Sequence, residues 1–431
     1  MARAPRPLYV ASLRLVNIKC FAKASLQFDH GGATPWAVIV GDNATGKTVL
    51  LRSLALGLCD QTSAAGLMKE SDEGYIRRPN REGQIVVDLY DPDSPETLYR
   101  ITTKLTKVGQ RQRTFERLQQ TTEPEKNFPW KRIFACAYGM GRTNSGTGDI
   151  AGYSVINAVY NLFSYGEGLQ NPELFLLRLK DENAEQRWLD HLATVLPAVR
   201  ESGIHLAQRG LTFDGPWGED MPFRDLADGV RGTFLWTADL IGWAIAYNSS
   251  VKNPSTILGV VLIDEIEQQL HATWQRDLVR QLQKLFPRVQ FIASTHSPLI
   301  ASAIGSLGRP ESRDKLYLSE LDDASKEARI EELESMQDYR FEQVLASRAF
   351  RYLIVGNPVL ADALRHASKL TDKGTDRSPE EESRYVELKE ALKKAVFLGP
   401  ATSAGREIED ERLRRLKALV QEFESTDESA E

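Results

Sequence analysis

The chain has 431 residues, 42% of them hydrophobic and 26% charged, with a formal net charge of −6; these are the proportions of a globular protein with a sizeable core in two or three structural units. The acidic balance excludes a globally basic nucleic-acid coat, although a local basic patch can sit on an acidic protein. No apolar run approaches bilayer length, Met1 to Val10 lacks the apolar stretch of a signal peptide, and Cys20, Cys59 and Cys136 fit no metal spacing, so a cytoplasmic protein with reduced thiols and no membrane partner is expected.

Trp36 to Val40 is a short apolar run followed by Gly41-Asp42-Asn43-Ala44-Thr45-Gly46-Lys47-Thr48 and a helical pattern over Val49 to Leu58. Strand, glycine loop and helix in that order form a phosphate cradle: loop N–H groups turn inward and the helix N-terminus adds its positive dipole end. In such a cradle Lys47 reaches the β- and γ-phosphates of ATP, and the Thr48 hydroxyl holds Mg²⁺.

Further on, Arg100, Lys104, Lys107, Arg111, Arg113 and Arg117 crowd a segment that begins as an alternating strand and is expected to run into a helix. It is either a track for a nucleic-acid backbone or a solvated face. Trp188, Leu189, Leu192, Val195, Leu196 and Val199 have helical spacing, and two short strands are expected near Gly203 to Ala207 and Leu211 to Phe213. Leu226-Ala227-Asp228-Gly229-Val230-Arg231 precedes a helical stretch, Gly232 to Tyr247.

Ile257 to Ile263 reads as a strand buried on both faces that delivers Asp264 and Glu265 at its carboxyl end. Asp264 is placed to reach Mg²⁺, and Glu265 to polarise the water that attacks the γ-phosphoryl group in line. Another buried strand, Val289 to Ala293, leads to His296, whose imidazole could hydrogen-bond the γ-phosphate as a sensor. From Lys315 the composition is strongly charged and mostly helical. Ser378 to Leu398 and Glu407 to Phe423 are amphipathic, and Glu422 to Glu431 form an acidic tail.

Glycine loop, signature-like segment, acidic pair and switch histidine stand in the order that resembles the ABC and SMC class of ATPases, over Ala11 to about Ser302. The resemblance implies an α/β fold: an ABC-type P-loop ATPase core with an inserted helical lobe and a C-terminal helical extension. No heptad run long enough for a coiled-coil arm separates the motifs. The implied divisions are 1–150 for the first half of the core, 151–220 for the lobe, 221–314 for the second half and 315–431 for a charged helical domain. In this class the signature faces the γ-phosphate bound to the opposite subunit, so Ala227, Asp228, Gly229 and Arg231 would contact ATP across a homodimer or higher homo-oligomer. The class usually places Ser where Ala227 stands; Arg231 either supplies the missing donor or is a solvated helix residue.

Within the class, Leu13 to Phe28 with Asn17-Ile18-Lys19-Cys20-Phe21 is similar to the first β-hairpin of RecF-like and OLD-like ATPases. Ile266 to Gln275 resembles a segment of the OLD-like and PtuA-like ATPases of bacterial anti-phage systems. His271 there either approaches the second active site or simply starts a helix. Ala135 to Arg142 resembles that group's glycine-rich lid. Leu353-Ile354-Val355-Gly356 is similar to the first strand of a TOPRIM nuclease, but the catalytic Glu and the Asp-x-Asp pair are missing, so no nuclease is expected in this chain. The resemblance implies slow ATP hydrolysis controlling a separately encoded effector nuclease, of HNH type, in anti-phage defence. The alternatives are a RecF-like DNA repair ATPase that contacts DNA, a transporter's ATPase subunit, and a scaffold that uses ATP only to dimerise.

Overall fold

The computed structural model describes residues 6–28, 36–70, 74–109, 115–142, 146, 152–166, 168–177, 182–196, 199, 203–207, 210–216, 218–304, 313–322 and 325–336, then 377–395 and a few isolated positions beyond 337. It divides into two compact units, Met1–Gln337 and Asp338–Glu431.

In the first unit β1 (Tyr9–Ile18) and β2 (Phe21–Gln27) form the expected hairpin, followed by β3 (Trp36–Val40), α1 (Lys47–Leu58) and α2 (Gln61–Lys69). The Asp60 carboxylate caps α2 by accepting from the Thr62 and Ser63 amides. Next come β4 (Glu82–Asp91), β5 (Ser94–Val108) and β6 (Phe115–Glu123), giving an antiparallel sheet in the order β2-β1-β4-β5-β6. The helix expected at the end of the basic segment is therefore a strand. Its side chains alternate, with Phe115, Arg117 and Gln119 exposed and Leu118 buried opposite Leu105, so the operative period is two and not 3.6.

β7 (Ala135–Tyr138) leads into a lobe holding α3 (Val155–Val159), α4 (Pro172–Leu177), α5 (Glu182–Ala193) and a small sheet of β8 (Ile204–Ala207), β9 (Gly210–Gly215) and β10 (Gly218–Pro222). α5 covers Trp188, Leu189 and Leu192 of the expected helical stretch but ends at Ala193, so Val195, Leu196 and Val199 fall beyond it; the first two strands agree with the sequence reading, and β10 was not foreseen. The chain continues through α6 (Asp228–Tyr247), β11 (Gly259–Ile263), α7 (Ala272–Leu285), β12 (Val289–Thr295), α8 (Pro298–Ala303), β13 (Lys315–Asp322) and β14 (Glu327–Leu333). A six-stranded sheet has the order β14-β13-β3-β12-β11-β7, parallel except for the β13–β14 pair. Every residue of β3, β11 and β12 is buried, as for parallel strands covered on both faces.

The helical reading from Lys315 fails for its first stretch, because β13 and β14 complete the six-stranded sheet. Leu316, Tyr317, Leu318 and Ser319 are buried between β3 and β14, while Arg329, Glu331 and Glu332 are exposed along the edge strand. The charge that suggested a solvated helix is the outer side of that edge. α1 lies in a single apolar core with both large sheets: Leu50, Leu54 and Leu58 share it with Leu13, Leu15, Ile85 and Val87 and with Ile39, Ala137 and Leu262. In the second unit α9 (Pro379–Ala395) falls within the predicted amphipathic segment. Residues 353–356, the TOPRIM-like strand, lie outside the described residues, as does most of 407–431. Among the described residues no helix is long and apolar enough to cross a membrane.

Candidate functional site

Three strand ends meet at the carboxyl edge of the parallel sheet, where open α/β sheets bind ligands. β3 runs into the glycine loop, β11 into Asp264 and Glu265, and β12 into His296. Gly41 turns the chain with φ 152°, and a Cβ there would strike the Ser319 carbonyl oxygen of β13. Lys47 opens α1 and is 6% exposed. Its Nζ donates to the Gly41 carbonyl at 2.9 Å and the Asp42 carbonyl at 2.8 Å. Burial pushes the ammonium below its ordinary range, and Asp264, Glu265, Glu267 and Asp42 oppose that shift. An ammonium turned onto carbonyl oxygens is suited to exchange them for the stronger acceptors of a phosphate.

The Thr48 hydroxyl donates to Asp264 Oδ2 at 2.7 Å, joining the loop to the strand end opposite. Asp264 Oδ1 accepts from Ser294 Oγ at 2.5 Å, and the same Ser294 Oγ accepts from the Glu265 amide at 2.8 Å. Glu265 has a left-handed backbone, φ 47°, and its Oε1 stands 3.9 Å from His296 Nε2. Glu267 is held on the other side, accepting from Thr295 Oγ1 at 2.7 Å and from the His296 amide at 2.5 Å. A cleft of about 300 Å³ is lined by Asn43, Ala44, Gly46, Lys47, Thr48, Asp264, Glu265 and His296, with Lys19 and Cys20 from the first hairpin.

Arg142, at the end of the glycine-rich segment after β7, is 3% exposed. Its guanidinium donates to the Asp264 carbonyl at 2.5 Å, to the Gly139 carbonyl at 3.2 Å and to the Glu265 carbonyl. Burial pushes its pKa down to about 10, opposed by Asp264, Glu267 and Glu265. Arg142, Glu267 and Ser294 were not singled out from sequence for these roles. Each acts through backbone groups or neighbours on another strand, and no local pattern marks such partners.

The remaining candidates do not line the cleft of one chain. Ala227 is the N-cap of α6 and makes no side-chain capping bond; Ala227 and Asp228 are exposed. Gly229 is buried, and a Cβ on it would collide with the Gln269 carbonyl oxygen, so this glycine lets α6 lie against the segment following β11. Arg231 donates to Asp228 Oδ1 at 2.6 Å and to the Arg224 carbonyl at 3.4 Å. His271 is exposed and caps α7, its Nδ1 accepting from the Thr273 amide at 3.4 Å. Deeper in α6, Asp239 is 4% exposed and accepts from the Tyr138 hydroxyl at 3.0 Å and the Gln170 amide at 3.1 Å; burial raises its pKa to about 7.

The described part of the basic segment is largely engaged within the fold. Arg100 pairs with Asp88 at 2.6 Å and Glu123 at 3.5 Å, Lys104 with Glu82 at 3.2 Å, and Lys107 donates to the Ile76 and Asn80 carbonyls. Arg117 is exposed, and residues 111 and 113 lie outside the described residues.

A family model described as "AAA domain, putative AbiEii toxin, Type IV TA system" matches residues 193–302. The Septu protein PtuA of Bacillus mycoides (strain KBAB4) is 24% identical over 301 residues, 68% of this chain and 38% of that protein. "Retron Vc95 probable ATPase" of Vibrio cholerae serotype O1 biovar El Tor is 37% identical over 89 residues, 21% of this chain and 17% of that one. The chain thus spans well under two thirds of the length of the curated relatives it matches. Among solved structures, the SMC head domain from Thermotoga maritima aligns with a TM-score of 0.44 at 13% identity, covering 76% of this chain and 99% of that one.

Proposed function

We propose that this P-loop ATPase, a relative of the Septu PtuA and retron ATPases, binds ATP at the glycine loop and hydrolyses it slowly between two copies of itself. The observation that carries the reading is the junction of Thr48 and Asp264 at 2.7 Å, with Lys47 on one side and Glu265 on the other, at one strand edge. A hydroxyl and a carboxylate make an oxygen donor pair that suits a hard cation, so Thr48 and Asp264 would hold Mg²⁺. When bound, Mg²⁺ neutralises charge on the phosphates. Lys47 binds the β- and γ-phosphates in place of the Gly41 and Asp42 carbonyls. Glu265 orients the attacking water and accepts its proton, with His296 beside it on the γ-phosphate side.

The exposed start of α6 fits the second half of the site. Its first amides carry no side-chain cap, and the cleft of a single chain does not contain them. A second copy would bring Ala227, Asp228 and Gly229 to the γ-phosphate, where free helix N–H groups and the dipole favour an anion. The names of the relatives favour a role in anti-phage defence, with the ATP state governing a separately encoded effector nuclease.

Glu265→Gln tests the whole reading. ATP affinity in calorimetry should stay near wild type while turnover falls by roughly 10²-fold or more. Protection of cells against phage should be lost with it. A variant that hydrolyses ATP at the wild-type rate removes Glu265 as the base.

A further inference from the structure

Burying a guanidinium is costly unless it gains strong bonds. The hydrogen bonds of Arg142 all go to main-chain carbonyls, and two of the three belong to the consecutive acidic residues Asp264 and Glu265. Those carbonyls belong to the peptide units on either side of the Glu265 Cα, the residue with φ 47°. A non-glycine residue in that region costs about 1 kcal/mol or more and persists only where its surroundings over-determine it. Two further bonds constrain Glu265: its amide donates to Ser294 Oγ at 2.8 Å, and its carbonyl also accepts from the Gln268 amide at 2.9 Å within the turn. The Ile266 amide is in turn tied to the Ser294 carbonyl at 3.1 Å. Beyond its own turn, the backbone of Glu265 is thus gripped from two neighbouring strands: by Arg142 from the loop after β7 and by Ser294 from β12.

We propose that Arg142 is the positioning residue for Glu265. Its planar fork bridges two successive carbonyls, holds the left-handed turn, and so sets the direction in which the Glu265 carboxylate enters the cleft. Arg142 does not line that cleft and acts through the Asp264–Glu265 backbone. The inference rests on the ATPase reading above for its catalytic consequence, but the clamp itself can be read out without catalysis.

The experiment uses the full-length chain with Arg142→Lys and Arg142→Gln. Lysine keeps the cation but offers a compact point donor that cannot reproduce the fork; glutamine removes the charge. In both variants ATP affinity should remain within about threefold of wild type and KM should change little, while kcat falls roughly 10-fold or more. In nucleotide-free protein, hydrogen exchange at the Glu265 and Ile266 amides should accelerate while the core of β11 and β12 stays protected. Unchanged exchange at those two amides in folded Arg142→Lys overturns the clamp, whatever the ATPase does. A raised KM with unaltered kcat overturns it too, by placing Arg142 in nucleotide binding. If Glu265→Gln hydrolyses ATP normally and the exchange still accelerates, the clamp stands and the role of Glu265 falls.

Discussion

Lys47 is 6% exposed, bonded to two loop carbonyls and faced by carboxylates from another strand, whereas Ala227 and Asp228, at the segment assigned to the same ATP, stand in solvent without a capping bond. The first region is finished within one chain: Lys47 is bonded to loop carbonyls, Thr48 and Ser294 to Asp264, and Thr295 and the His296 amide to Glu267. The second is a helix start whose orphan N–H groups await an acceptor. Under the proposed two-copy arrangement, a site divided this way would hold nucleotide in a monomer and complete its chemistry only on association.

The largest expected effect comes from breaking the finished half. Lys47→Ala should weaken ATP binding by roughly 100-fold or more, because it removes a charge-assisted donor to two phosphates in a partly dry site. Calorimetry checks it, and unchanged affinity would mean that the loop does not hold phosphate.

A smaller effect sharpens the link between the two halves. Asp239 of α6 accepts from Tyr138 of β7, a strand that pairs directly with β11. Burial raises its pKa from 3.8 to about 7, so the folded state holds a proton that the unfolded chain releases across that window. The native state binds more protons there, so stability should fall as pH rises from about 4 to about 7, by up to roughly 1.4 kcal/mol per pH unit from this group. Asp239→Asn should flatten that part of the profile in denaturant titrations at pH 5 and pH 8. An unaltered slope would place the titration elsewhere.

The smallest effect tests the unfinished half. Ala227→Ser should tighten the ATP-bound dimer by about 1 kcal/mol by adding a donor beside the γ-phosphate. The same hydroxyl can cap α6 in the monomer, a gain of about 1 kcal/mol in stability. Sedimentation of Glu265→Gln with and without Ala227→Ser, saturated with ATP, separates the two. Stronger folding with equal association would mean that the hydroxyl serves the helix and not the partner copy.

The residues legible in the sequence are those whose chemistry is written locally. Gly41 to Thr48 follow a strand and open a helix, and Asp264, Glu265 and His296 each end an apolar run, so order and spacing were enough to bring them to one edge. Arg142 and Glu267 were not legible as partners, because what they hold, backbone groups and the Thr295 hydroxyl, lies on other elements. Arg100 and Lys104 stayed open between a nucleic-acid track and a solvated face because Asp88 and Glu82, which pair with them, lie 12 or more residues earlier on the neighbouring strand. The reading of 315–431 as one charged helical domain mistook an edge strand for a solvated helix. Leu316 to Ser319 carry too short an apolar run to outweigh the charges of Glu327 to Glu332.

That same edge has a consequence for the order in which the protein comes into being. β3 finds one of its two flanking partners only in β13, and the loop that follows β3 leans on it: Ser319 Oγ donates to the Thr45 carbonyl at 2.8 Å, and Gly41 abuts the Ser319 carbonyl. The Ala328 amide reaches back to the Cys20 carbonyl at 3.0 Å, closing the hairpin over the first turn of the chain. On a ribosome, domains are made from the N-terminus, and pairings distant in sequence form last. The glycine loop is among the first segments synthesised, yet its backing strand emerges about 270 residues later. A nascent or truncated chain that stops short of Ser319 has all the residues that would touch ATP and lacks the strand that shapes the loop around it.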